Sequence, residues 1–242
     1  MVSTHQDTGE LIAFLPCRAG SQRVPFKNTR QFDSEGRSLF DIKMQQLIAC
    51  PHIDRIVVST NDNAIKDAAR SAIEAHGARI TLDHRPDALC SSSTLTDDLI
   101  RYVPTIIPSG HILWTHVTSP FVDASDYSNI IHAYFDGLAT RKHGSLMTVT
   151  RLQGFMWDEN GPVNYDRTKE KWPRTQTLDV LYEVNSAAFV IPADVMARTA
   201  DRITDDVRRY ELSKSKSVDI DHIDEFDLAA ALYARQAPAA TR

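Results

Sequence analysis

The stretch LIAFLPCRAGSQRVPFKN (11–28) decides the fold. Leu11 to Leu15 is a short, continuous apolar run closed by Pro16, the pattern of a strand buried on both faces of a parallel sheet. The polar loop from Arg18 to Asn28 then falls at the carboxyl edge of that sheet, where open α/β folds bind ligands. It carries three cations (Arg18, Arg23, Lys27) and the small residues Ala19, Gly20 and Ser21, whose amides can approach a ligand. Fixed cations beside backbone amides suit a polyphosphate. Pro25 restricts the loop and lowers the entropy of ordering it. A solvated loop with incidental positive charge is the plainer alternative.

Outward from this stretch, strand and helix patterns alternate. Leu39 to Ile48 has apolar residues near helical spacing and ends before Pro51. Arg55 to Thr60 is β-branched and reads as a strand. Asn61 or Asp62 caps a helix from Ala64 to His76, with Gly77 in the C′ position. Arg79 to Leu82 reads as a strand, Thr96 to Tyr102 as a helix, His111 to His116 as a strand, Ser125 to Phe135 as a helix and Ser145 to Thr150 as a strand. Such alternation predicts an α/β fold, a mostly parallel sheet with helices on both faces. Residues 151–179, rich in Trp, Arg, Asn and Pro, break the pattern as an excursion: a lid, a specificity insert or a dimer arm. Ala187 to Pro192 and Ser217 to Asp221 read as further strands, and Asp224 to Gln236 as a closing helix. The domain is expected over 11–236, between a polar leader (1–10) and a tail (237–242).

Composition narrows the function classes. The 242 residues are 42 % hydrophobic and 24 % charged, an ordinary globular balance. Net charge is −5, so no global basic field attracts nucleic acid or anionic lipid. The three cysteines (Cys17, Cys50, Cys90) make neither a disulfide framework nor a zinc spacing. With no secretory leader pattern and no apolar run near the ~20 residues of a membrane helix, a cytoplasmic protein is expected. No GxGxxG follows the first strand and no GxxxxGK[ST] occurs, against a dinucleotide enzyme and a P-loop ATPase. Neither a G-x-S-x-G elbow nor a His-x-Glu-x-x-His helix supplies a nucleophile or a zinc site.

Three further groups carry chemistry. Asp219 and Asp221 alternate around Ile220, so on a strand both face one side about 6–7 Å apart. Two such carboxylates can hold Mg²⁺, whereas Asp224 and Glu225 read better as an acidic helix start. His116 precedes a polar turn, Thr118 and Ser119, and could meet a substrate or be a hydrogen-bonded structural residue. Arg174 could meet a carboxylate or phosphate bidentately.

These motifs together resemble the acylneuraminate cytidylyltransferases (CMP-sialic acid synthetases) and, more distantly, the CMP-Kdo synthetases. The family's opening pattern, (I/L)-P-x-R-x-G-S-x-R-x-P-x-K-N, stands here from Leu15 to Asn28. Val58 to Asn61 matches V-S-T-(D/N), His116 to Phe121 matches Q-P-T-S-P-L, and Ser217 to Asp221 is S-V-D-I-D intact. Arg174 to Gln176 and Tyr182 to Ser186 match the R-x-Q and Y-E-N-G-S stretches. The resemblance implies a fold like that of nucleotide-diphospho-sugar transferases, a homodimer built through the excursion, and transfer of CMP from CTP to an acid sugar with Mg²⁺. It implies nucleotide contacts from Arg18, Ala19, Gly20, Ser21, Gln22, Arg23, Lys27, Asn28 and the segment at Ser91. Arg18 and Lys27 would stabilise the transferring phosphates, and Asp219 and Asp221 would hold the metal. The acceptor would face His116, Thr118, Ser119, Arg174, Gln176 and Asn185. Departures gather on the acceptor side: His116 stands where the family has Gln, and Ser186 where it has Gly. Gln22 stands where many members have Lys. The resemblance implies a nine-carbon sugar acid as acceptor, and these departures keep Kdo or a small phosphonate as alternatives. A nucleotide-binding regulatory protein without catalysis is the competing class.

Overall fold

The computed structural model describes residues 9–236, so most of the leader and all of the tail lie outside the described residues. Six strands share one direction: β1 (Leu11–Pro16), β2 (Arg55–Thr60), β3 (Ile80–His84), β4 (His111–Trp114), β5 (Leu146–Leu152) and β9 (Arg208–Leu212). A seventh, β8 (Leu181–Pro192), runs antiparallel between β4 and β5. The sheet order is β3-β2-β1-β4-β8-β5-β9. Two-residue strands β6 (Trp157–Asp158) and β7 (Gly161–Pro162) form a separate hairpin.

The continuous apolar run of β1 follows from its place at the centre of this sheet. Leu11, Ala13 and Leu15 enter the larger core, with helices α1 (Leu39–Ala49), α2 (Asn63–His76), α4 (Ala124–Ala139) and α6 (Ile223–Gln236). Ile12 and Phe14 point the other way, into a smaller core with α3 (Thr96–Ile106) and α5 (Ala193–Thr199). Period-two alternation thus sends successive apolar residues into different cores. Helix starts follow local chemistry. Ser38 with Asp41 and Asp123 with Asp126 make reciprocal capping boxes for α1 and α4. Asp62 caps α2, and Gly77 ends it at φ +65°.

Four expectations need correction. Ser217–Asp221 is not a strand: among the described residues its one main-chain bond across to a neighbouring segment is Ile220 N–H donating to Thr118 O, and a turn on Ser213 precedes it. Its alternation still partitions the side chains, burying Ile220 fully. The last strand is instead Arg208–Leu212, an edge strand whose polar composition hid it. Helix α3 runs on to Ile106 through Pro104, which lies in the last turn, where a missing N–H disturbs little that follows. Strand β8 begins at Leu181 rather than Ala187, extending under the excursion.

Within the excursion, buried Asn164 replaces regular backbone pairing. Its Nδ2 donates to Gly154 O (2.8 Å) and Asp179 O (3.0 Å), while Oδ1 accepts from Met156 N–H (3.1 Å). Arg167 lies between Trp157 and Trp172, 5.2 and 5.1 Å from their centroids.

Candidate active site

A cleft of about 630 Å³ opens where β1 and β4 end. Its first wall is the loop after β1, folded by contacts that its own sequence and that of β2 supply. Cys17 N–H donates to Ser59 O (2.9 Å), and Thr60 Oγ1 donates to Cys17 O. Ala19 N–H donates to Asn61 Oδ1 (2.9 Å), and Asn28 Nδ2 to Arg18 O (3.2 Å). Asn61 therefore ties the loop, while Asp62 beside it caps α2. Arg18, Ser21, Gln22, Arg23, Lys27 and Asn28 line the cleft.

The opposite end of the chain supplies the carboxylates. Asp219 and Asp221 both line the cleft. Asp221 Oδ1 lies 2.9 Å from Arg23 Nη2 and 3.5 Å from Lys27 Nζ, and Lys27 also donates to Ile220 O (2.8 Å). Burial pushes the Asp219 carboxyl above its usual range, opposed by a hydrogen bond from Thr118. Glu225 Oε2 accepts from the N–H groups of Asp221 and His222 (2.7 and 2.8 Å), so this acidic residue serves the start of α6.

Between these walls stands His116. Trp114 Nε1–H, which can only donate, reaches His116 Nε2 at 3.0 Å. His116 Nδ1 is therefore the protonated nitrogen, donating to Ser186 O at 3.0 Å. Burial lowers its pKa to about 4, opposed by that bond to Ser186. The imidazole is neutral with both nitrogens engaged, so it shapes the cleft wall and exchanges no proton. Behind the Thr118 turn, fully buried Lys43 donates to Ser119 O (2.8 Å), Val122 O (3.2 Å) and Tyr127 Oη (2.8 Å).

Several expected contacts fall elsewhere. The Ser119 hydroxyl is buried without a partner among the described residues, while its main-chain oxygen accepts from Lys43 and from Val122 N–H. Asn185 is buried, donating to Thr150 Oγ1 (3.2 Å) and Ser217 Oγ (3.3 Å), while its neighbour Ser186 lines the cleft. Ala19 and Gly20 are outside the lining, and the Ala19 amide is already held by Asn61. Ser91 is exposed, its hydroxyl bonded to Ser93 and Thr94, and Ser92 takes the lining position. Arg174 and Gln176 are exposed on the excursion, away from the cleft of their own chain. Cys17 is inert, burial pushing its thiol up to about 12.

The lining also holds residues that sequence reasoning missed: Arg85, Thr96, Leu99, Trp114 and Arg202. Arg85 just follows β3, so the rule that ligands meet the carboxyl ends of parallel strands would have found it. It donates to Ser59 O (2.7 Å) and Ser59 Oγ (3.0 Å). Arg202 has no local signal; the reversed strand β8, leading into α5, delivers it.

Fold and cleft define an α/β protein whose cleft brings a cation-rich loop to face Asp219 and Asp221. The sequence matches the cytidylyltransferase family over residues 12–234, and the chain belongs to that family. It is 24 % identical over 225 residues to an N-acylneuraminate cytidylyltransferase of Streptococcus agalactiae serotype V, covering 89 % of this chain and 51 % of the relative. The chain thus spans about half the length of the curated relatives it matches. Among solved structures, CMP:2-keto-3-deoxy-manno-octonic acid synthetase complexed with CTP superposes with a TM-score of 0.64 at 12 % identity, over 94 % of this chain and 99 % of that one. The 4-diphosphocytidyl-2C-methyl-D-erythritol synthase of Anaerococcus prevotii gives 0.63 at 14 % identity, over 94 % and 97 % of the two chains. These likenesses show the same fold.

Proposed function

We propose that the chain transfers CMP from CTP to an acidic acceptor, an acylneuraminate-like nine-carbon sugar acid, and releases pyrophosphate. An acceptor hydroxyl oxygen attacks the α-phosphorus and gives up its proton to water; the bond to the bridging oxygen breaks, and the electron pair leaves with pyrophosphate. The observation that carries this reading is the joining of two distant motifs in one cleft: Arg18, Arg23 and Lys27 opposite Asp219 and Asp221. Arg18 and Lys27 would stabilise charge on the transferring and leaving phosphates, with Ser21, Gln22, Arg23 and Asn28 completing the nucleotide wall.

The two carboxylates fit Mg²⁺ better than an all-protein metal site. Among the described residues no group of three or more His, Cys, Asp or Glu could hold a metal, and Mg²⁺ characteristically takes one or two carboxylates plus substrate phosphates. Asp219 and Asp221 would hold the ion, which when bound neutralises phosphate charge.

A homodimer belongs to the same proposal. The excursion and adjoining β8 expose Phe155, Trp157, Val163, Trp172, Tyr182 and Val184, an apolar surface of the kind that a second copy covers. Arg174 and Gln176 on that excursion would then meet the partner's acceptor. Among the described residues no helix is long and apolar enough to cross a membrane, and a cytoplasmic setting remains part of this reading.

The test is pyrophosphate release with CTP and Mg²⁺, offering N-acetylneuraminate, Kdo and small phosphonates separately. Release with N-acetylneuraminate is expected. Release only with Kdo or a phosphonate would replace the acceptor, and silence across the panel with CTP still bound would favour a regulatory nucleotide-binding protein.

A further inference from the structure

Five cations line the cleft, and four are accounted for by the nucleotide side or by the protein itself. Arg18 follows β1 on the nucleotide loop, Arg23 and Lys27 face Asp221, and Arg85 is tied to Ser59. Arg202 stands apart. It sits on the loop between α5 and β9, and its guanidinium carbon lies 3.8 Å from the Phe189 centroid and 5.4 Å from that of Trp114. Those two residues are register partners on β8 and β4, so Arg202 covers the opposite side of β1 from β2, onto which the nucleotide loop is tied.

Among the described residues, no carboxylate lies within ion-pair distance of Arg202 and no protein acceptor takes a hydrogen bond from its guanidinium. Stacking on aromatic rings fixes the plane of the fork and strips water from one face, while its N–H edges stay available at the cleft. The neighbouring Asp201 acts on Arg202 only from beyond ion-pair distance. A partly desolvated cation without a paired carboxylate is costly, and an oxyanion seated against it reduces that cost. The rest of this wall is uncharged: Trp114, the neutral His116 and Ser186.

We propose that Arg202 is the residue that receives the acceptor's carboxylate, a specificity determinant for acids on the β4–β8 side of the cleft. This rests on the acidic-acceptor reading above, but its test does not require turnover. Calorimetric binding of N-acetylneuraminate and of its neutral methyl ester is compared in the wild type, Arg202→Gln and Arg202→Lys, each loaded with Mg²⁺ and a CTP analogue whose α–β bridging oxygen is replaced by methylene, so that no transfer occurs. The wild type is expected to prefer the acid by roughly ten- to a hundredfold. Arg202→Gln loses that preference by weakening the acid alone, Arg202→Lys keeps part of it, and CTP affinity stays the same in all three. A purely packing role would weaken acid and ester equally. Equal binding of acid and ester by the wild type, no binding of either, or a full preference retained in Arg202→Gln would each overturn the assignment. Acid-selective binding without pyrophosphate release would instead sink the transfer reading and leave Arg202 in place.

Discussion

The Lys27 ammonium donates to the main-chain oxygen of Ile220 at 2.8 Å, joining residues 193 apart in the chain. This bond locks the loop after the first strand to the acidic segment before the last helix. It holds Lys27 beside Asp221 while the buried Ile220 side chain anchors the acidic segment in the larger core. The two halves of the proposed site therefore share one anchor.

Replacing Asp221 separates chemistry from folding. Its ion pair with Arg23 is largely exposed, so its loss changes stability by about 1 kcal/mol or less. Asp221→Asn is expected to cut turnover by orders of magnitude with a melting temperature close to the wild type. Lys27→Ala should behave similarly in turnover, and EDTA should abolish the activity of the unmodified protein. Wild-type turnover in Asp221→Asn would remove Asp221 from the proposed machinery.

Lys43 makes stability depend on pH on the alkaline side. Burial pulls its pKa from 10.5 to about 7, opposed by Asp126 and Asp123. Between those values the unfolded chain binds more protons than the folded one, so this group's contribution to stability rises with pH from about 7 toward 10.5. Lys43→Met should lose that rise, and the orphaned main-chain oxygen of Val122 should cost about 1–3 kcal/mol. Denaturation series at pH 7 and pH 9 measure both effects; an unchanged pH slope in the variant would refute the assignment.

His116 acts on the acid side. Its folded pKa of about 4 lies below the ordinary 6.5, so the unfolded chain takes up its proton first. Stability from this residue is complete above about pH 6.5 and declines as pH falls toward 4. His116→Gln should flatten that decline, and a pH–rate profile from 5.5 to 8 should show no step that the variant abolishes. A step near 6.5 in the wild type alone would contradict the neutral, fully bonded ring.

Ser186 sits in left-handed backbone at φ +57°, beside the register shift between β5 and β8. A side chain there costs roughly 1–2 kcal/mol, against about 1 kcal/mol of extra unfolded-state freedom for glycine. Ser186→Gly is expected to be neutral or slightly stabilising, and Ser186→Val to be clearly destabilising by thermal melts. A marked loss in the glycine variant would mean that the hydroxyl matters more than the backbone.

Much of the architecture was legible because each signal is local. The run at 11–15 announced a doubly buried strand, Asn61 or Asp62 with Gly77 bounded a helix whose cap the structure assigns to Asp62, and the acidic alternation at 219–221 pointed to a cleft that both carboxylates line even though no strand forms there. Arg208–Leu212 was not legible: an edge strand needs no apolar alternation, and only its neighbour β5 reveals it. Ser119 and Asn185 were placed toward the acceptor by the resemblance, because a motif match does not show which way a buried side chain turns.

By itself, then, the sequence determined the alternation of strands and helices from residue 11 to about 150, the composition of the loop at 15–28 and the spacing of Asp219 from Asp221, since these depend on neighbours within a few residues, whereas it misplaced the last strand and missed α5. Tertiary structure decided which of these groups meet. It turned His116 into a neutral ring between Trp114 and Ser186, made Lys43 the buried support of the Thr118 turn, and brought Arg202 from beyond α5 onto Phe189 and Trp114. Those outcomes arise from strand order and burial, which bring together residues far apart in the chain.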